Sequence, residues 1–268
     1  MNVLEIGSSA RGDGDRWSDR DVLVIASAEH LSGLELVYAN RGASVVALTP
    51  KKFSYLASRG SLFLKHAINE GVLLEGVYED WRVLSKKWGS TGDYSDEIES
   101  NLNFLPVLEC VPSSQSGAAA AIDVMVCSVR NILIRQLAKR GIFKFSWRHI
   151  ALNSHQVTKL PVGAWRAVAW AREQKNKRRA GLPTVVQVGH VEEFAEMFRG
   201  LLGSIPLNWT TSNARLERLA TRFSDGSYAQ LRAFELLCAN GAKDRGLGTL
   251  RAITARPSYF CSGRFNLN

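Results

Sequence analysis

The chain has 268 residues, 46% of them hydrophobic and 22% charged, with a net charge of +9, a composition ordinary for a soluble protein of one large or two modest domains. No apolar run approaches the roughly 20 residues needed to span a bilayer, and Met1-Asn2-Val3-Leu4-Glu5 offers neither a basic n-region nor an apolar h-region, so no signal peptide is expected. Cys110, Cys127, Cys238 and Cys261 show no C-x-x-C pairing and no histidine at zinc spacing, which reads as reduced thiols in a cytoplasmic protein without membrane contact.

In chain order, Val3–Ile6 and Asp21–Ala26 read as strands on either side of a Gly-Ser turn. Glu29–Asn40 reads as a helix ending at Gly42, and Ser44–Leu48 as a strand. Lys51–Ile68 carries helical spacing interrupted by Gly60, and Val72–Glu75 is short and apolar. Strands alternating with helices predict a small mixed sheet covered on one side. The turn-rich stretch Gly89–Asp96 marks a boundary, giving domain 1–88, a linker over 89–116 and an all-α domain over 117–268. In that domain helices are expected over Ala118–Arg140, from a Ser146 cap to Leu152, and over Val162–Lys177, Glu192–Leu202, Asn213–Phe223 and Tyr228–Asn240. The tail from Gly246 is expected to be loosely ordered.

The segment Gly7-Ser8-Ser9-Ala10-Arg11-Gly12, followed by Ser18-Asp19-Arg20-Asp21-Val22-Leu23-Val24-Ile25, carries the chemistry. On a strand, side chains alternate, so Asp19 and Asp21 share a face. Adjacent carboxylates repel unless a cation sits between them, and a hard divalent ion suits oxygen ligands. A Gly-Ser turn presents amides and hydroxyls to an anion. Phosphate cradle and metal carboxylates together fit phosphoryl or nucleotidyl transfer. A P-loop is disfavoured because Asp13-Gly14 stands where Lys-Ser/Thr is required. A calcium loop fails at Trp17 and Ser18, where a ligand and a glycine belong.

The run resembles the signature of the polymerase-beta-like nucleotidyltransferase superfamily, above all its minimal and kanamycin-type bacterial members. A second resemblance, to the helix, Glu-Gly turn and last strand closing such domains, lies in Gly60-Ser61-Leu62-Phe63-Leu64-Lys65-His66-Ala67-Ile68-Asn69-Glu70-Gly71-Val72-Leu73-Leu74-Glu75. The resemblance covers the first third of the chain. It implies an α/β (α+β) nucleotidyltransferase core with a helical C-terminal domain. The activity implied moves an NMP from an NTP to an acceptor, possible settings being toxin–antitoxin or phage defence. Asp19 and Asp21 would bind Mg²⁺ or Mn²⁺, and Gly7, Ser8, Ser9, Arg11 and Ser18 would hold the nucleotide. The chain departs from the family where active members carry a third carboxylate: the next strand has Ser44, Val45 and Val46 there. This keeps open an inactive nucleotidyltransferase fold that binds nucleic acid or a protein partner.

Charge is uneven along the chain. Residues 1–110 hold 11 Lys/Arg and 16 Asp/Glu, a net of −5, whereas residues 124–191 hold 13 Lys/Arg against Glu173 alone, a net of +12. That basic segment points to RNA or DNA, with Lys175, Lys177, Arg178 and Arg179 as contact residues and an RNA acceptor favoured over a cationic small molecule. Trp147, Trp165 and Trp170 lie within it, where a tryptophan either stacks on a base or packs in a core. Arg148, His149 and His155 resemble the Arg–His motif of HEPN ribonucleases, which implies a helical-domain ribonuclease as a further alternative.

Overall fold

The computed structural model describes residues 1–13, 20–223 and 228–240. Two compact units share the chain: Met1–Tyr94 with Leu137–His149, and Ser95–Gln136 with Ile150–Asn268. The first unit therefore extends past the boundary expected at 88, and it is discontinuous.

The first unit begins with β1 (Asn2–Ile6), α1 (Gly7–Arg11), β2 (Arg20–Ile25), α2 (Ala28–Asn40) and β3 (Ala43–Leu48), followed by α3 (Pro50–Ser58), α4 (Leu62–Glu70), β4 (Val72–Gly76) and α5 (Tyr78–Ser85). The strand order is β3-β2-β1-β4. β1 is antiparallel to both β2 and β4, and β2 is parallel to β3 across the α2 crossover. The sheet is mixed, as the alternation predicts. It is covered on both faces rather than one. Val3, Val22 and Val24 pack with Tyr38 of α2 and Ala43. Leu4, Leu23 and Ile25 point the other way by strand alternation and are buried too. Nearly continuous burial along β2 explains why its sequence is an unbroken apolar run after Asp21.

Gly60 stops the helical pattern because it sits at φ +70°, where a Cβ would come within 2.9 Å of the Gly89 carbonyl. Ser61 then caps α4, its hydroxyl accepting from the Leu64 amide. Residues 137–149 complete the unit. Phe145 stacks on His66 with ring centroids 4.8 Å apart, and Phe143 meets Trp88 edge-on at 5.1 Å.

The second unit holds α6 (Ser95–Phe104), a 3-10 turn over Leu105–Glu109, β5 (Val111–Pro112) and most of α7 (Gln115–Lys139). It continues from within α8 (Trp147–Asn153) through α9 (Ala164–Arg179), α10 (Val188–Met197), α11 (Arg199–Leu202), β6 (Trp209–Thr210), α12 (Asn213–Arg222) and α13 (Tyr228–Ala239). The stretch taken as a linker over 89–116 is thus partly built of regular structure. A two-residue parallel pairing joins β5, in the stretch expected as linker, to β6, inside the domain expected to be all-α. Such short pairings leave no period in the sequence. The helices expected in this half are present except that Glu192–Leu202 is two, α10 and α11, divided at Phe198, and the Ser146 hydroxyl accepts from the His149 amide at the start of α8. The tail from Gly246 lies outside the described residues.

By length and a mean hydropathy of 1.6, α7 would pass as a membrane span, contrary to the expectation that no such run exists; 83% of that window is buried, as in a core helix.

Candidate active site

Three local facts build the candidate site in the first unit. β1 ends at Ile6, whose extended φ of −132° turns directly into α1. The expected Gly-Ser turn is this five-residue helix, too short to show helical periodicity. Ile6 offers no side-chain cap, so the amides opening α1 receive no side-chain acceptor from it. Gly12 closes the turn at φ +68° with its N–H on the Ser8 and Ser9 carbonyls.

Gly7 has φ +80°, and a Cβ built on it would stand 3.0 Å from Oδ2 of Asp21. Only glycine fits both the backbone and the space. The antiparallel register explains the approach: Ile6 is paired with Asp21, so Gly7 lies one residue beyond that carboxylate. On its other side Asp21 is paired with Ser44 of β3. The residue beside Asp21 is therefore a serine, which brings a hydroxyl and no carboxylate. Ser18 and Asp19 lie outside the described residues. Ser8, Ser9, Arg11 and Asp21 are all half-buried.

Arg11 is engaged by acids. Its Nε donates to both carboxylate oxygens of Asp13 at 3.0 and 3.1 Å, and Nη1 donates to Glu70 Oε2 at 2.6 Å. His66 Nε2 lies 3.0 Å from the same Glu70 oxygen and 3.2 Å from Arg11 Nη1. A protonated Nε2 donates to Glu70 and a bare one accepts from Arg11; one nitrogen cannot do both. Burial raises the Glu70 carboxyl, but hydrogen bonding and charge from His66, then Arg11, bring it below the usual range. Burial lowers the Arg11 guanidinium, and Asp13 and Glu70 outweigh this to raise it. These contacts join the two segments that carry the resemblance, α1 and α4. His66 and Glu70 were legible only as an i, i+4 pair on a helix; nothing in the sequence placed them against Arg11.

Among the described residues, no group of three or more His, Cys, Asp and Glu side chains is arranged to hold a metal. The donor set nonetheless suits a hard ion in part. Asp21 offers carboxylate oxygen, and it faces a position kept free of any side chain at Gly7.

The basic residues of the second unit are arranged differently from the expected polyanion surface. Lys175, Arg178 and Arg179 of α9 gather on Asp123 of α7, at 4.0, 3.2 and 3.5 Å, and Arg232 of α13 joins them at 3.2 Å. Asp123 is fully buried. Burial pushes its carboxyl up, but the four cations, Arg232 foremost, bring it down to about 2. Lys177 pairs with Glu173 at 2.6 Å. Asp123 precedes the acid-poor segment by one residue, so a charge count starting at 124 omits its counter-ion. Trp147, Trp165 and Trp170 are half-buried rather than core, and Trp170 meets His190 edge-on at 5.1 Å. Arg148 and His149 belong to the first unit and His155 to the second, all three exposed.

No family model matches the chain, and no curated protein matches it.

Proposed function

We propose that the first unit is a metal-dependent nucleotidyltransferase that moves an NMP from an NTP to an acceptor, with RNA as the favoured acceptor. The observation that carries this reading is the apposition of Gly7 and Asp21. It sets the opening amides of a Gly-Ser segment close against a strand carboxylate, a Cβ built on Gly7 falling 3.0 Å from Asp21 Oδ2. Gly7, Ser8 and Ser9 would hold the triphosphate through backbone N–H and hydroxyl groups. Asp21, together with Asp19, would hold Mg²⁺ or Mn²⁺. When bound, that ion supplies charge neutralisation at the α-phosphate and the leaving pyrophosphate. Arg11, fixed by Glu70 and Asp13, would orient α1 against α4 rather than act as a free phosphate ligand.

A second reading keeps nucleotide binding without transfer. Ser44 beside Asp21 favours it, since a serine hydroxyl neither binds a divalent ion well nor takes a proton from an acceptor.

Incubating the full chain with each α-labelled NTP, Mg²⁺ or Mn²⁺ and total cellular RNA separates the two. Label on RNA, absent from an Asp19→Asn/Asp21→Asn protein, supports transfer. An NTP-dependent rise in melting temperature that requires Mg²⁺, without labelled product, supports the binding reading. Equal labelling by the double variant overturns the proposed site.

A further inference from the structure

α12 carries a surface feature separate from the candidate active site. Its buried stripe is Leu216, Leu219 and Ala220, and its exposed side presents Arg215, Arg218 and Arg222. These arginines stand at i, i+3 and i+7, a row about 10 Å long at 1.5 Å per residue. They line one groove of about 350 Å³, with Glu109, Cys110 and Asn208 among its other lining residues. Among the described lining residues Glu109 is the single carboxylate, and it is held by Arg222 at 2.6 Å. Counted over the described lining residues, three guanidinium groups against one carboxylate leave two positive charges in excess.

The residue types select the ligand. Guanidinium groups meet phosphate oxygens in a bidentate fork, as lysine cannot. One phosphate is satisfied by one guanidinium fork, whereas Arg215 and Arg218, about one helical turn apart, suit successive phosphates along a chain. Among the described residues lining the groove none is aromatic, and the neighbouring Phe223 ring is covered by the Arg222 guanidinium at 5.0 Å, so the contact falls to the arginines rather than to a stacking platform. We propose that this groove holds the phosphodiester backbone of a single-stranded nucleic acid without base preference, on Arg215 and Arg218, with the Arg222–Glu109 pair at its end. The groove lies wholly in the second unit and does not depend on the nucleotidyl-transfer reading.

The test is fluorescence anisotropy of short labelled single strands of mixed sequence, RNA and DNA, titrated with the full chain without NTP or divalent metal. Arg215→Ala/Arg218→Ala should weaken binding about tenfold or more at low salt and reduce the log–log salt slope by about 1.4, close to 0.7 for each lost contact. Glu109→Gln should tighten binding several-fold by removing the carboxylate that competes for Arg222. Loss of folding cannot mimic that gain. Lys86→Ser, at an exposed position in the first unit, should leave affinity unchanged. Unaltered affinity in the double arginine variant, or no binding by the native chain at low salt, overturns the proposal. Binding of inorganic polyphosphate or a phosphopeptide but of neither oligonucleotide also overturns it.

Discussion

Arg11 Nη1 and Glu70 Oε2 lie 2.6 Å apart although 59 residues separate them in sequence. Both side chains are largely buried, at 17% and 14% exposure, so solvent screens the pair far less than it would a surface ion pair. Glu70→Gln should lower unfolding free energy by about 1–3 kcal/mol, because Arg11 and His66 lose a charged acceptor in a partly dry setting. Urea denaturation followed by circular dichroism measures this. A change within a few tenths of a kcal/mol would show that the pair contributes no more than an exposed one.

Gly7→Ala tests the backbone that brings α1 to Asp21. At φ +80° an alanine costs about 1–2 kcal/mol in backbone strain, and its methyl displaces the Asp21 carboxylate. The expected result is a lower melting temperature together with loss of any stabilisation by Mg²⁺–NTP. Gly12→Ala separates the two effects. That glycine also has positive φ but meets nothing within 4 Å, so strain without loss of nucleotide response is expected there.

Asp19→Asn/Asp21→Asn should abolish transfer while leaving the circular dichroism spectrum unchanged. Asparagine keeps the size and hydrogen-bonding reach of aspartate, so the exchange removes charge without opening a cavity and the chain is expected to stay folded. Retained transfer in a folded double variant would rule out metal-assisted chemistry at this strand.

The strands and helices around the candidate site were largely readable from apolar period and glycine punctuation, because burial dictates both. The start of β2, the α2 crossover and the break at Gly60 are examples. The join between Arg11 and the His66–Glu70 pair was not readable, since it depends on how α1 and α4 meet in space. The fate of the basic segment was hidden for a related reason. Its counter-ion Asp123 sits on α7, more than 50 residues before Lys175, Arg178 and Arg179, and only helix packing brings them together. A five-residue helix such as α1 and two-residue strands such as β5 and β6 are too short for any period to announce them.

Asp123→Ala should cost about 3–5 kcal/mol, because it removes the buried carboxylate that Lys175, Arg178, Arg179 and Arg232 share, while Glu235 stays paired with Arg232 and Arg178. The acid response of the native protein follows from the same group. Its folded carboxyl, at about 2, lies below the ordinary aspartate value near 3.9. The associated stability is therefore present above about pH 4 and is lost as pH falls toward 2. Glu70, also shifted down, contributes in the same direction. Melting temperatures between pH 6 and pH 2 should fall in that acid range for the native chain. Asp123→Ala should show a lower starting value and a shallower fall.

The discontinuity of the first unit bears on how the protein is made. Residues 137–149 belong with Met1–Tyr94, and they bring Phe145 to His66 and Phe143 to Trp88. A ribosome delivers Ser95–Gln136 before those aromatic partners exist. The sheet can form early, but the ring stack on α4 must wait, and α4 carries the histidine and glutamate that hold Arg11. An N-terminal fragment ending at Tyr94 would contain every residue of the Gly-Ser segment and of β2 and still lack the cover on α4. The candidate site lies within residues 1–94 and is finished only once residues 137–149 have followed them out of the ribosome.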